Sequence, residues 1–280
     1  MSFFAGRKLL IVTKHGKEAV IAPVLEKVLD VQCLVATDFD TDKLGTFSGE
    51  VRRKRDVLET LREKCRQGLA MYQLDLAVAS EGSFGMHPTV FIAPADDELV
   101  MLLDLRNGIE IVSRELSLDT NFNGAQISNE ADFLSFLETV KFPSHGIIIR
   151  KAASALEGME KGIVAMDVAL AVFRKFLAAF GSAYVETDMR ACYNPSRMLV
   201  IEKAVNKLVA RASTLCPDCG IPGFGAIDAV AGLRCSFCGS PTKSILYVLD
   251  GCQKCGFTER RYHPRGVTVE DPAYCDHCNP

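Results

Sequence analysis

Four Cys-x-x-Cys pairs crowd into the last 65 residues: Cys216/Cys219, Cys235/Cys238, Cys252/Cys255 and Cys275/Cys278. Eight thiols in four two-residue-gap pairs point to two tetrahedral zinc sites. Fifteen residues separate Cys219 from Cys235, and nineteen separate Cys255 from Cys275. Both gaps fit a zinc ribbon, so the spacing favours sequential pairing: the first two Cys pairs on one ion, the last two on the other. Interleaved pairing, Cys216/Cys219 with Cys252/Cys255, needs longer loops. Sulfur fills all four positions of each site, and a closed site is structural. Gly220, Gly239 and Gly256 follow three of the pairs, where a tight turn calls for positive φ. His263 and His277 lie nearby but have no ligand position left to fill.

The remaining length is enough for one large domain, which gives a division into an α/β domain over residues 1–213 and a tandem zinc-ribbon domain over 214–280. The formal charge is −3, so no whole-molecule field gathers nucleic acid or anionic lipid. From Cys216 to Pro280 there are six basic and seven acidic residues. With eight thiolates and two Zn²⁺ the segment stands near about −5, a poor balance for neutralising phosphates. No signal peptide is visible, and the apolar stretch from Ile163 to Val185 is broken by Asp167, Arg174 and Lys175. The expectation is a cytoplasmic chain with reduced thiols and no membrane span.

Along the first part, Lys8–Thr13, Gln32–Ala36 and Asp75–Ala79 read as strands, and 17–29 and 56–71 as helices between them. Pro23 predicts that the first helix begins near it or kinks there. Strands alternating with helices give a layered α/β architecture. From Thr89 to Leu116 three strand-like runs (Thr89–Ala93, Glu98–Asp104, Gly108–Leu116) with no helix between them predict an antiparallel meander, so the sheet is mixed. Helices are expected over Ser128–Val140, with Ser128 as cap, over Ile163–Phe180, and from Asn194-Pro195 to about Ala212. Gly146–Ile149 reads as another strand.

Three polar loops follow the first strands. Thr13-Lys14-His15-Gly16-Lys17-Glu18 lies where α/β sheets bind ligands, and a helix start beside a lysine suits a phosphate. Asp38–Glu50 is long and acidic. Ser80-Glu81-Gly82-Ser83-Phe84-Gly85 resembles a nucleophile elbow, but Glu81 stands where its first glycine belongs, which excludes that reading. Glu81 at a strand end suits Mg²⁺ or water activation. In Glu186–Met198, residues Asp188, Arg190, Asn194 and Arg197 form either an anion clamp or, the preferred reading, an ion-paired start to the last helix.

Thr13-x-x-x-Lys17, Ser48-Gly49, Glu59-Thr60 before Lys64, and Ala77-Val78-Ala79-Ser80-Glu81-Gly82 follow one another in an order that resembles the inosine/xanthosine triphosphate pyrophosphatases over residues 8–116. The chain as a whole resembles an uncharacterised bacterial family that joins these blocks to a C-terminal double zinc ribbon. The first resemblance implies a divalent metal, phosphate contact by Lys17, Lys64 near a triphosphate, and Mg²⁺ on Glu81. The resulting expectation is a metal-dependent hydrolase of a nucleotide or other small phosphorylated molecule. Lys17, Glu50, Lys64 and Glu81 would be catalytic, and Thr13, His15, Gly16 and Asp104 would bind cofactor. The cofactors would be two structural Zn²⁺ and Mg²⁺. The alternative is a non-enzymatic zinc-ribbon protein that docks a protein or RNA.

Overall fold

The computed structural model describes residues 2–39 and 56–280. The chain divides into two compact units, Met1–Arg106 with Val112–Val209, and Asn107–Ile111 with Ala210–Pro280.

The first unit carries two sheets. One is mixed, in the order β2-β1-β3-β4-β5. Its strands are β1 (Lys8–Val12), β2 (Gln32–Val35), β3 (Leu76–Met86), β4 (Pro94–Asp104) and β5 (Ile109–Ser117). β1 pairs in parallel with both β2 and β3. The connecting helices are α1 (Glu18–Leu29) and α2 (Val57–Tyr72). The two crossovers leave β1 and β2 in opposite directions along the sheet, so right-handedness puts the helices on opposite faces. α2 lays Leu61, Cys65 and Leu69 on the face bearing Leu10, Val12, Ala77, Ala79, Met101 and Leu103. Gly68 lets it lie close: a Cβ there would come within 2.7 Å of Val12. Asp56 caps α2 by accepting from the Glu59 N–H at 2.8 Å. α1 begins at Glu18 and continues through Pro23.

β3 runs longer than the sequence predicts. Ser80–Gly85, read as a loop from its glycines and polar residues, continues the strand because β4 pairs with it residue for residue out to Met86↔Pro94. The run Thr89–Ala93, expected as a strand, is instead the turn closing this hairpin.

The second sheet, β6-β9-β7-β8, comprises β6 (Gly124–Ile127), β7 (Ile147–Arg150), β8 (Glu160–Ile163) and β9 (Ala183–Thr187). Only β7 is legible beforehand. α3 (Glu130–Thr139) and α4 (Met166–Phe180) pack on it around Phe133 and Phe173, whose rings stack at 4.2 Å. Asn129, not Ser128, caps α3, accepting from the Asp132 N–H at 2.9 Å. α5 (Pro195–Ser213) starts at its Asn-Pro signal, with Asn194 accepting from the Arg197 N–H at 3.0 Å.

The second unit contains an antiparallel meander of β10 (Gly225–Ala231), β11 (Ile245–Gly251) and β12 (Thr258–Tyr262). Among the described residues no helix is long and apolar enough to cross a membrane.

Candidate functional site

Where β3 runs on past the end of β1, side chains alternate between the two faces of the sheet. Ser80, Gly82 and Phe84 share a face with their β4 partners Val100, Glu98 and Asp96. This face holds a buried group of charges. Lys17 reaches in from the loop before α1 and donates to Ser80 Oγ at 3.1 Å. Arg197, from the first turn of α5, donates through Nε to Glu98 Oε1 at 2.6 Å and also donates to the Met189 carbonyl. Its guanidinium lies 5.0 Å from the centre of the Phe84 ring. Asp96 is 1% exposed and Glu98 0%.

Burial sets the electrostatics. Loss of solvent, then the positive charge of Arg197, pushes the Lys17 ammonium down to about 8. Loss of solvent, then the charge of Glu98, pushes the Asp96 carboxyl up to about 8. The charges of Arg197 and Lys17 oppose that rise, and buried groups shifted in this way are enriched at functional sites.

The residues singled out from sequence are divided by the sheet. Glu81 points to the α2 face, where it forms an ion pair with Lys64. Lys17 is on the other face, so the two do not share one cleft, although Glu81 and Lys64 are close enough to act on the charge of Lys17. All four side chains of Lys17, Lys64, Ser80 and Glu81 are buried. Asp104 lies elsewhere. β3 and β4 are antiparallel, so Asp104 faces Leu76 at the opposite end of the hairpin, where it binds Arg7 at 2.6 Å. Glu50 and Ser48-Gly49 lie outside the described residues. Thr13, His15 and Gly16 line a cleft of about 380 Å³ with Thr37 and Asp38 at the carboxyl ends of β1 and β2. His15 and Gly16 there have φ of 68° and 77°. Asp188 and Arg190 are ion-paired, and Arg197 likewise, matching the ion-paired reading of the last helix start. Sequence reasoning missed Asp96 and Glu98. The available signal was two acids with period-two spacing at the head of a predicted strand.

In the second unit the eight cysteines form two groups, and the pairing is interleaved. Cys216/Cys219 meet Cys252/Cys255, and Cys235/Cys238 meet Cys275/Cys278. The cross-pair sulfurs are 3.7 Å apart for Cys216–Cys255 and Cys219–Cys252, and 3.8 and 3.7 Å for Cys235–Cys278 and Cys238–Cys275. A tetrahedron of sulfurs about 2.3 Å from zinc has edges of about 3.8 Å, so the donor set fits this ion. The sequential pairing expected from spacing is overturned by the meander. Each Cys-x-x-Cys turn sits at a strand end, and an antiparallel strand sends the next turn to the opposite end of the sheet. A seven-residue strand spans about 24 Å, too far for consecutive pairs to share an ion. The turns are alike: Gly220, Gly239 and Gly256 donate back to the carbonyls of Cys216, Cys235 and Cys252 with φ between 71° and 77°. The Phe237 and Lys254 N–H groups point at Cys235 and Cys252 sulfur at 3.4 Å.

A mixed α/β unit followed by two interlocked four-cysteine groups is thus the class to which this molecule belongs. The chain is a member of the DUF6671 family, a domain of unknown function, whose family model matches residues 64–280. No curated protein matches it. Neither result supports the likeness to the inosine/xanthosine triphosphate pyrophosphatases read from residues 8–116.

Proposed function

We propose that this protein is a metal-dependent hydrolase of a small phosphorylated molecule, with a tail braced by two structural Zn²⁺ ions. One observation carries the reading: the Thr13–Glu18 loop both lines the open cleft and supplies Lys17, which donates to Ser80 in the buried group of charges. Backbone N–H groups at the start of α1 would receive phosphate, as helix starts do. Lys17 and Arg197 would supply positive charge to the phosphate. Thr13, His15 and Gly16 keep the ligand-binding role expected of them. Lys64 and Glu81 become supports of the site from the other face.

A thermal-shift screen of nucleotides and other phosphorylated compounds, with and without Mg²⁺, tests this. A true ligand at a hundredfold its Kd stabilises by about 2.7 kcal/mol. The expected result is a raised Tm, release of phosphate, and loss of the release in Lys17→Ala. No shift with any phosphorylated compound and no release would overturn it.

The non-enzymatic alternative has one observation in its favour. Phe237, in the turn between Cys235 and Cys238, is 83% exposed, where a docked partner would meet it. On that reading no phosphorylated compound moves the Tm.

A further inference from the structure

Three carboxylate oxygens at the β3–β4 rim have no partner among the described residues. Both oxygens of Asp96 and Oε2 of Glu98 are buried and accept no hydrogen bond from a basic or backbone donor there, and the two carboxyl groups lie close enough to act on each other. Leaving ionised oxygens in that state costs several kcal/mol, so native proteins leave them only where a proton, a water or an ion completes the site. The nearby cations donate to other atoms. Arg197 is shared between Glu98 Oε1 and the Met189 carbonyl, and Lys17 donates to Ser80. Asp96 and Glu98 are two residues apart on one strand, so both carboxylates project to the same side. Opposite Glu98 stands Gly82, where a Cβ would collide with Glu98 Oε1 and Arg197 Nη2. The free donor set is all oxygen and anionic, which selects hard divalent cations over those preferring nitrogen or sulfur.

We propose that Asp96 and Glu98 form a site for a hard divalent cation of the Mg²⁺ or Mn²⁺ class, held through the Asp96 carboxylate and Glu98 Oε2 with water completing the shell. The cation's part in hydrolysis rests on the function proposed above; its binding does not. Charge gives a further consequence. With both carboxyl groups ionised, Asp96 and Glu98 balance Lys17 and Arg197, so a dication leaves an excess of positive charge that a phosphate would offset. Cation and phosphate therefore bind more tightly together than either does alone. The rival account is one proton shared between the two carboxyl groups.

The test uses the full chain loaded with zinc, so that the thiolates are occupied, and titrates Mn²⁺ with and without pyrophosphate. Binding is followed by the electron paramagnetic resonance of free Mn²⁺. Asp97→Asn serves as the control, because Asp97 alternates to the other face. One Mn²⁺ per chain beyond the zinc is expected, bound at least tenfold more weakly by Asp96→Asn and unchanged in Asp97→Asn. In the wild-type chain Mn²⁺ should broaden the amide signals of Gly82 and Phe84, a readout that needs no variant to fold. No Mn²⁺ binding in either condition, wild-type affinity in Asp96→Asn, or broadening that spares Gly82 and Phe84 would overturn the site in favour of the shared proton. Mn²⁺ bound as expected with no phosphorylated compound hydrolysed would instead sink the hydrolase and leave the cation site standing.

Discussion

A methyl group at position 82 would drive into the Glu98–Arg197 pair. Both partners are buried, and Arg197 is held on its other sides by the Met189 carbonyl and the Phe84 ring. Gly82→Ala should therefore separate a buried ion pair, which costs about 3–5 kcal/mol. For a unit of this size that is a fall in Tm of about 10 °C. Calorimetry would check it, and the loss should shrink in a background where Glu98 and Arg197 are both replaced by methionine. At the far end of the hairpin the argument concerns pH. Partial burial would raise the Asp75 carboxyl, but hydrogen bonds from Arg7 at 2.9 Å and Arg106 at 2.7 Å hold it below its ordinary value. A depressed folded value means the unfolded chain binds the proton first. The contribution is complete above about pH 4 and is lost as pH falls through the folded value. Asp75→Asn should flatten the acid limb of a denaturant-stability profile between about pH 5 and pH 2. Denaturant melts of both chains across that range check it. Residue roles were only partly legible beforehand. Lys17 stood out as a basic group at a strand end. Which face Glu81 would take depended on knowing that the strand continued through it.

At the scale of elements, the sequence carried the helices well, because caps and apolar periodicity are local. α5 began at its Asn-Pro signal, and α2 kept Leu61, Cys65 and Leu69 on one side. Strands whose stability comes from a partner were the ones misread. Ser80–Gly85 has too little β propensity alone and is a strand because β4 lies beside it. The cysteine pairing failed for the same reason: the residues between the pairs were counted as loop, yet strands run through them. Interleaving makes a sharp prediction. Cys219→Ser should lower the bound zinc from two ions per chain to one and open Cys216, Cys252 and Cys255 to alkylation. Cys235, Cys238, Cys275 and Cys278 should stay protected. Mass spectrometry of alkylated peptides reads this directly, because sequential pairing would expose Cys235 and Cys238 instead.

At the scale of the molecule, the two units differ in what holds them. The first has its own apolar clusters, one under α2 and another around Phe133 and Phe173. The core of the second is small, with Cys216, Phe224 and Cys252 backed by Phe257, so two of its buried members belong to a four-sulfur group. In such a module metal binding is folding free energy, on the order of 10 kcal/mol per zinc. Removing the ions removes the largest favourable contribution the second unit has, whereas the first keeps the burial that stabilises it. A strong chelator should therefore abolish one thermal transition and leave another. Trypsin added after chelation should cut first at Arg234, Lys243, Lys254, Arg260, Arg261 and Arg265, leaving a fragment that ends at Arg234, beyond α5 and β10. Time-resolved mass spectrometry follows both sets of sites. Cleavage within α1, within α2, or within α3 to α4, at the same rate as in the tail would show that the zinc module supports the whole chain and that the first unit does not stand by its own core.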